Sequence, residues 1–196
     1  MPLSLSETIN AYANGSVFTA FDLETTGLDP RQDKIVEIGA VKFDNNGLIA
    51  RFSALINPGI PMPAEAGRVN NITDAMLNGK PSLDKVLPDF LGFTGNSIII
   101  AHNAPFDCGF INESLARLHR EGQAVFPSLP NRIADTLAFS QDSFPGHRSY
   151  SLQNLAADLR IPAVDAHRAE DDARLCMEIF VCIYRQQQVD TPPSLK

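Results

Sequence analysis

The amino-acid sequence predicts an α/β domain with a mixed five-stranded sheet, three antiparallel strands and then parallel strands, flanked by helices. Three observations lead to this prediction. Residues 17–56 hold three strand-like segments joined by short links, as in an antiparallel meander. A short β-branched run at residues 97–101 follows a predicted helix, which favours a strand parallel to an earlier one. Residues 106–120 and 169–187 each have the apolar stripe of a helix that packs on a sheet.

The first predicted strand, within residues 17–27, has two acidic residues near its end. Residues two apart in a strand share a face, so Asp22 and Glu24 point one way while Phe21 and Leu23 point the other. Two carboxylates side by side in a core are costly unless a positive charge lies between them. A hard divalent cation, which prefers oxygen ligands, would supply it. The alternative is a frayed strand end with both acids in water, because an acid-x-acid pair alone is common.

The other predicted elements complete the domain, which is expected to span residues 16–188. Residues 1–15 are interpreted as a lead-in that can be helical, and residues 189–196 as a disordered tail. Glu37, inside the second strand, is interpreted as structural, since an isolated strand acid is usually hydrogen-bonded or at an edge. In chain order the predictions are a strand at 35–43, a hairpin turn at 44–47, a strand at 48–56, a proline-rich loop at 60–71, a short helix capped by Thr73, a helix capped by Ser82 and reaching Phe93, a strand at 97–101, a helix at 106–120, a weaker strand at 129–136, a polar loop at 141–150, and helices at 151–160 and 169–187.

A third acidic residue belongs to the inner face of the helix at residues 106–120. Asp107 lies three and four positions before Phe110 and Ile111, which are part of the apolar stripe. Residues at these spacings are neighbours on one helix face. Asp107 is therefore predicted to face inward. The alternative is that it only caps the helix, because acids are favoured near a helix N-terminus.

The helical period also separates two neighbouring acids in the last helix. Asp172 lies three and four positions before Leu175 and Cys176 of the apolar stripe, and so faces inward. Asp171 lines up instead with Arg174 on the side predicted to face solvent. The phase of the helix therefore selects Asp172 as the candidate site residue. A purely capping role is weaker for Asp172, because its acidic neighbours could already serve the helix dipole.

Four inward carboxylates from three segments would make a poor core but a good metal site. Two metal ions about 3.5–4 Å apart clamp the attacking and leaving oxygens of a phosphoryl displacement. His167, just before the last helix, adds a side chain that can hold a water proton at neutral pH. The sequence therefore predicts a metal centre with His167 beside it.

Composition limits the class of protein. The 196 residues are enough for one good core, and 44% hydrophobic with 20% charged residues is ordinary for a soluble globular domain. A formal net charge of −7 argues against coating nucleic acid by bulk charge but allows a local groove. Three cysteines without metal-finger spacing are interpreted as reduced thiols of a cytoplasmic protein. No signal peptide or membrane-spanning run is predicted.

Three motifs in this order resemble the exonuclease motifs of the DEDD superfamily. They are residues 21–27 (FDLETTG), 102–107 (HNAPFD) and 167–173 (HRAEDDA). The histidine of the third motif is similar to that of the branch that includes the proofreading subunit of bacterial replicative polymerases. The resemblance extends from Phe18 to about Ile183, which is nearly the whole chain.

The resemblance implies a ribonuclease H-like fold, two Mg²⁺ or Mn²⁺ ions, and removal of nucleoside monophosphates from 3′ ends of nucleic acid. By motif position, the metal ligands would be Asp22, Glu24, Asp107 and Asp172, with His167 as the general base. Residues 71–73 match a loop usually written Gly-Ile-Thr, whose isoleucine abuts a base, although Asn71 replaces the glycine. Asp135 would support the site from behind. The implied substrate-binding residues are Thr25, Thr26, Leu28, Ile72, Asn103 and Phe106.

The resemblance leaves several functions open. DNA ends are favoured as substrate, and an enzyme that trims RNA 3′ ends is the alternative within the superfamily. A polymerase-associated proofreading or binding subunit, with a DNA polymerase as partner, is a further alternative. The short chain after the last predicted helix favours a free-standing enzyme instead. A Ca²⁺-stabilised structural domain is disfavoured because such a domain would not need the histidine. A monomer or a homodimer, without a membrane association, is expected.

Overall fold

The computed structural model describes residues 2–164 and 168–190. Eight helices and five strands form this part of the chain. In chain order they are α1 (Leu5–Ala13), β1 (Phe18–Thr25), β2 (Ile35–Asp44), β3 (Gly47–Leu55), α2 (Ala64–Asn70), α3 (Asp74–Leu77), α4 (Leu83–Thr94), β4 (Ile98–Ala101), α5 (Ala104–Arg120), β5 (Ile133–Asp135), α6 (Thr136–Ser143), α7 (Leu152–Asp158) and α8 (Ala169–Asp190).

The five strands form one mixed sheet in the order β3-β2-β1-β4-β5. Strands β1 to β3 pair antiparallel, whereas β4 runs parallel to β1 and β5 runs parallel to β4. The predicted meander followed by parallel strands is therefore confirmed. In the register of β1 with β2, Asp22 lies opposite Gly39 and Glu24 lies opposite Glu37.

Two hydrophobic clusters cover the two faces of the sheet. On one face, Phe18 and Ala20 of β1 pack with α8 residues such as Phe180. On the other face, Phe21 and Leu23 pack with helices α4 and α5. Because side chains alternate along a strand, the next residues on the α8 face of β1 are Asp22 and Glu24. The alternation predicted from the sequence thus sets which helix the acids meet.

The N-terminal lead-in is helical and packs onto the sheet. Ser4 caps α1 in a capping box, accepting from the backbone of Glu7 while the Glu7 side chain accepts from the backbone of Ser4. Tyr12 of α1 is buried in the cluster on the α8 face, and the Leu3 backbone N–H donates to Ile133 of β5. Residues 2–15 thus belong to the packed domain.

Two predicted loops contain helices that the sequence prediction missed. The loop predicted at residues 60–71 contains α2, because Pro63 stands at the N-cap, ahead of the helix, and does not interrupt it. The Asp135 side chain caps α6 by accepting from the Leu137 N–H at 2.9 Å. Helix α6 therefore begins at Thr136 and includes residues 141–143 of the predicted 141–150 loop. The strand β5 before it is only three residues long.

Smaller differences concern helix ends. Thr73 and Ser82 occupy the predicted N-cap positions of α3 and α4, but neither side chain makes a capping hydrogen bond. Helix α8 continues to Asp190, so the first two residues of the predicted tail are helical, and residues 191–196 lie outside the described residues. Within the described ranges, no helix has the length and apolar character needed to cross a membrane.

Candidate active site

Three carboxylates from β1 and α8 meet at the end of β1. One oxygen each of Asp22, Glu24 and Asp172 lies within 4.8 Å of the others. Strand alternation points Asp22 and Glu24 at α8, and the first turn of α8 supplies Asp172. Gly39 makes this close approach possible, because a Cβ at that position would overlap the backbone of Ala169 and Glu170.

Asp107 reaches the same strand from the opposite side. It is 3% exposed in the first turn of α5, and its Oδ1 accepts the backbone N–H of Leu23 at 3.2 Å. Asp107 is not one of the three clustered carboxylates, but its charge is felt by Asp22. The structure thus brings all four predicted acids to one end of β1. Asp107 is bound by the backbone of Leu23, which lies between Asp22 and Glu24 in the strand.

Burial and mutual repulsion leave these acids poorly suited to carry charge by themselves. Burial, followed by the charges of Asp107 and Asp172, raises the pKa of Asp22 well above its ordinary value. Burial and then the charge of Asp172 raise the pKa of Glu24 from 4.5 to about 8. Burial likewise raises the pKa of Asp107 from 3.8 to about 8. A set of oxygen donors with these properties fits a hard divalent cation, which offsets the repulsion.

Glu37 is a further acid near the cluster. It is fully buried and forms an ion pair with an arginine. Its two oxygens accept from Arg168, at 2.7 Å from Nη2 and at 3.1–3.2 Å from Nε. It also accepts the first backbone N–H of α8, from Ala169, at 3.4 Å. The interpretation of Glu37 as a hydrogen-bonded structural residue therefore agrees with its contacts, which join β2 to the start of α8.

Asp171 differs from its sequence prediction in one respect. It faces away from the three carboxylates, as the helical period indicates, but it is 8% exposed and does not lie in solvent. Its Oδ1 is 2.7 Å from Nη2 of Arg174, and its Oδ2 accepts the Val164 N–H at 3.0 Å. The segment before α8 covers this pair, because Arg174 also donates to the carbonyl of Pro162. The helical period describes only the residues of one helix, so it does not predict that Pro162 and Val164 cover Asp171.

Comparison with known proteins assigns the family. Residues 19–180 match the profile of the RNase T family, which is described as an exonuclease family.

The chain belongs to this exonuclease family.

It is similar to the DNA polymerase III subunit epsilon of Treponema pallidum, with 46% identity over 83% of this chain and 74% of the relative. It is also 36% identical to the PolC-type DNA polymerase III of Clostridium perfringens, over 87% of this chain but only 11% of that relative. Among solved structures, exonuclease X in complex with 5′ overhanging duplex DNA is similar, at 25% identity and a TM-score of 0.64, over 88% of this chain and 92% of that one.

The family membership confirms the resemblance drawn from the three motifs. The exonuclease has a ribonuclease H-like fold, and it is a metal-dependent nuclease of the 3′–5′ type. Asp22, Glu24 and Asp172 at the end of β1 form a group of carboxylates whose spacing is compatible with a metal ion.

His167, the predicted general base of the exonuclease, lies outside the described residues. The described chain ends at Val164 and resumes at Arg168. Arg168 is held by Glu37, so the residue that follows His167 is fixed to β2. The role of His167 stays a prediction.

The predicted substrate-binding residues at the end of β1 and in the loop that follows divide into two groups. Thr25 Oγ1 donates to the carbonyl of Gly27 at 2.6 Å. Thr26 Oγ1 donates to Asp33 at 3.3 Å and accepts the backbone N–H of Lys34 at 2.9 Å. Both hydroxyls therefore shape the loop. Leu28 is 82% exposed and is free to contact a substrate.

Ile72, the predicted contact for a base, is buried in the structure. It is 1% exposed and packs with Val36 and Leu77. Asn71 adopts a left-handed conformation with φ of 56°, the role that glycine or asparagine takes at a helix end. The Asn70 side chain accepts the Ile72 N–H at 3.1 Å, and together these features turn Ile72 into the core. The contact of Ile72 with a base stays a prediction.

Asn103 and Phe106 lie at the start of α5. Asn103 has a left-handed backbone with φ of 74°, and its N–H donates to Asp135 Oδ1 at 3.1 Å. Phe106 packs against Phe110, with ring centroids 5.1 Å apart. Asp135 thus supports the strained residue between β4 and α5 while it caps α6. This position agrees with its predicted supporting role.

One polar residue at the site was not predicted from the sequence. The Gln153 side chain of α7 donates from Nε2 to Asp172 Oδ1 at 2.5 Å. Nothing in the local pattern of residues 151–160 distinguishes Gln153 from its exposed neighbour Asn154. Only the packing of α7 beside α8 reveals the contact.

Proposed function

We propose that this exonuclease hydrolyses the terminal phosphodiester bond at the 3′ end of single-stranded or frayed DNA and releases nucleoside 5′-monophosphates with the help of two divalent ions, Mg²⁺ or Mn²⁺. The observation that carries the proposal is the meeting of Asp22, Glu24 and Asp172 within 4.8 Å, with Asp107 bound to the backbone of the same strand.

The four acids would hold the metal ions. Asp22, Glu24 and Asp172 offer oxygens that converge, and Asp107 approaches from the α5 side. Bound ions would activate a water molecule and neutralise the charge that develops on the phosphate. The protein contributes rigid ligands, since β1 is the central strand of the sheet and α8 packs directly against it.

His167 would accept the proton of the attacking water. An imidazole is largely neutral at pH 7 and can therefore take up a proton there. Its position in the sequence supports this role. The next residue, Arg168, forms an ion pair with Glu37 of β2, and Glu37 lies opposite Glu24 in the sheet.

DNA is the favoured substrate for two reasons. The similar exonuclease X was solved with duplex DNA, and the similar epsilon and PolC-type proteins bear the names of DNA polymerase III. Leu28, exposed in the loop four residues after Glu24, can contact a terminal base without reading its identity. Proofreading with a DNA polymerase partner, in the cytoplasm, follows as the expected setting. The three free cysteines suit a reducing compartment, and a monomer or a homodimer is the expected state.

A digestion experiment tests the proposal. Strands labelled at the 5′ end, namely single-stranded DNA, a duplex with a mismatched 3′ end, a matched duplex and single-stranded RNA, are incubated with Mg²⁺ or Mn²⁺. The expected result is a descending ladder from single-stranded and mismatched DNA, slower digestion of matched duplex, and nucleoside 5′-monophosphate as product. Asp22→Ala, which removes one carboxylate, is the inactive control. Faster digestion of RNA than of DNA, or activity undiminished by EDTA, would contradict the proposal.

A further inference from the structure

The environment of Asp172 contains a neutral donor from a separate helix. Gln153 Nε2 donates to Asp172 Oδ1 at 2.5 Å, and Gln153 is partly buried. An ionised carboxylate has two oxygens and about four lone-pair sites. The amide can therefore hold one site while others remain for a metal ion. Hydrogen-bond partners behind a metal ligand fix its orientation.

Helix α7 is anchored firmly enough to set the position of Gln153. Leu155 and Ala156, on the same short helix, are buried in the cluster that also contains the core of α8. The chain just before the helix is bound as well. The ring of His102, at the end of β4, bonds through Nε2 to the Tyr150 carbonyl at 2.7 Å and through Nδ1 to Thr136 Oγ1 at 3.0 Å.

The His102 contact links α7 to the motif that carries Asp107. A carbonyl can only accept, so the proton of the His102 ring lies on Nε2 and points at Tyr150. Tyr150 is three residues before Gln153, and its hydroxyl donates to the Phe144 carbonyl at 2.8 Å. His102, at the end of β4, thus binds the residues just before α7. Gln153 of α7 in turn binds Asp172.

The choice of a glutamine matters electrostatically. Asp172 already raises the pKa of both Asp22 and Glu24 through its charge. A carboxylate at position 153 would add another negative charge next to this set, whereas an amide donates a hydrogen bond without adding charge. An aliphatic side chain would leave Asp172 without this donor.

From these contacts we infer that Gln153 is a positioning residue that orients Asp172 for metal binding, with α7 held in place by His102. The inference rests on the proposed function, because it requires Asp172 to be a metal ligand. It assigns to α7 a part in the active site that neither the sequence motifs nor the acid cluster indicates.

The test compares Gln153→Met, which keeps the length of the side chain and removes the donor, with the wild type. We expect its affinity for Mn²⁺, measured by calorimetry without substrate, to fall by about 10-fold or more. In single-turnover digestion, the Mn²⁺ concentration for half-maximal rate should rise in parallel, and saturating Mn²⁺ should restore most of the rate. Asn154→Leu, a matched amide replacement at the exposed neighbour, should change neither quantity.

Two further variants separate the failure of this inference from the failure of the proposed function. Asp172→Asn should lose Mn²⁺ affinity, and Asp172→Asn combined with Gln153→Met should lose no more, because Gln153 acts through Asp172. Wild-type Mn²⁺ affinity in Asp172→Asn would overturn the metal assignment itself. Loss of affinity in Asp172→Asn but not in Gln153→Met would overturn only the positioning role. A rate loss in Gln153→Met that saturating Mn²⁺ does not restore would also overturn it. Thermal unfolding in EDTA checks that each variant is folded.

Discussion

Replacing Gly39 by alanine should damage the active site without touching any of its acids. Gly39 lies in β2 opposite Asp22, and an added Cβ would overlap the backbone of Ala169 and Glu170 at the start of α8. No side chain can swing away to make room, since the obstructing atoms belong to the backbone. The start of α8, with Asp172 two residues beyond Glu170, must therefore move away from the sheet.

The size of the effect follows from the geometry. An added Cβ would lie 2.0 Å from the Ala169 carbonyl carbon and the Glu170 nitrogen. Helix α8 would therefore need to retreat by at least about 1 Å, and forcing a well-packed interface apart costs about 1–3 kcal/mol. A misplacement of about 1 Å in an active site can cost on the order of 10²-fold in rate. We therefore expect Gly39→Ala to remain folded, with a lower free energy of unfolding and a single-turnover rate lowered by about 10²-fold.

Urea unfolding and single-turnover digestion of labelled DNA with Mn²⁺ measure the two effects. The matched control is Gly92→Ala in helix α4, where an added Cβ meets nothing within 4 Å. An alanine inside a helix is favoured over glycine by about 0.5–1 kcal/mol, so this control should be slightly more stable and fully active. Wild-type stability and rate in Gly39→Ala would refute the close approach of β2 and α8 as the reason for this glycine.

Three further predictions concern the acids and the base. Asp172→Asn should abolish digestion and Mn²⁺ binding, whereas Asp171→Asn should keep most of both but lose about 1–3 kcal/mol of unfolding free energy, because buried Arg174 loses one of its ionised partners and keeps Glu178. Equal activity losses in both variants would contradict the assignment. Without metal, the unfolding free energy should fall by at least about 3 kcal/mol as pH rises from about 5 to 8, since the raised pKa values of Glu24 and Asp107 keep protons on the folded state that the unfolded state releases. Urea unfolding in EDTA measures this fall, and a stability that rises with pH would contradict it. His167→Ala should lose turnover by about 10²- to 10⁴-fold while keeping its Mn²⁺ affinity by calorimetry; Mn²⁺ binding as weak as in Asp22→Ala would instead make His167 a ligand.

Local periodicity in the sequence determined the parts of the site that depend on one segment alone. Strand alternation in residues 18–25 was sufficient to predict that Asp22 and Glu24 share a face, and they do meet α8. The helical period was sufficient to separate Asp172 from Asp171. These predictions were possible because the geometry of one strand or one helix fixes the relative directions of its own side chains.

The tertiary structure decided everything that depends on what packs against a segment. Asp171 is buried because residues before α8 cover it, and Ile72 is buried because Asn71 turns it towards Val36. The helix that starts at Thr136 depends on capping by Asp135, and the sequence alone did not reveal this capping role.

The same distinction applies to the most specific contacts of the site. The sequence by itself predicted the fold class, the family and the four acids that face inward. Only the folded chain shows that Gly39 admits the start of α8 and that Gln153 reaches Asp172. Both contacts join residues far apart in the chain. They form only when α7 and α8 pack against the sheet and against each other. A local pattern of residue types does not specify the distance between these elements.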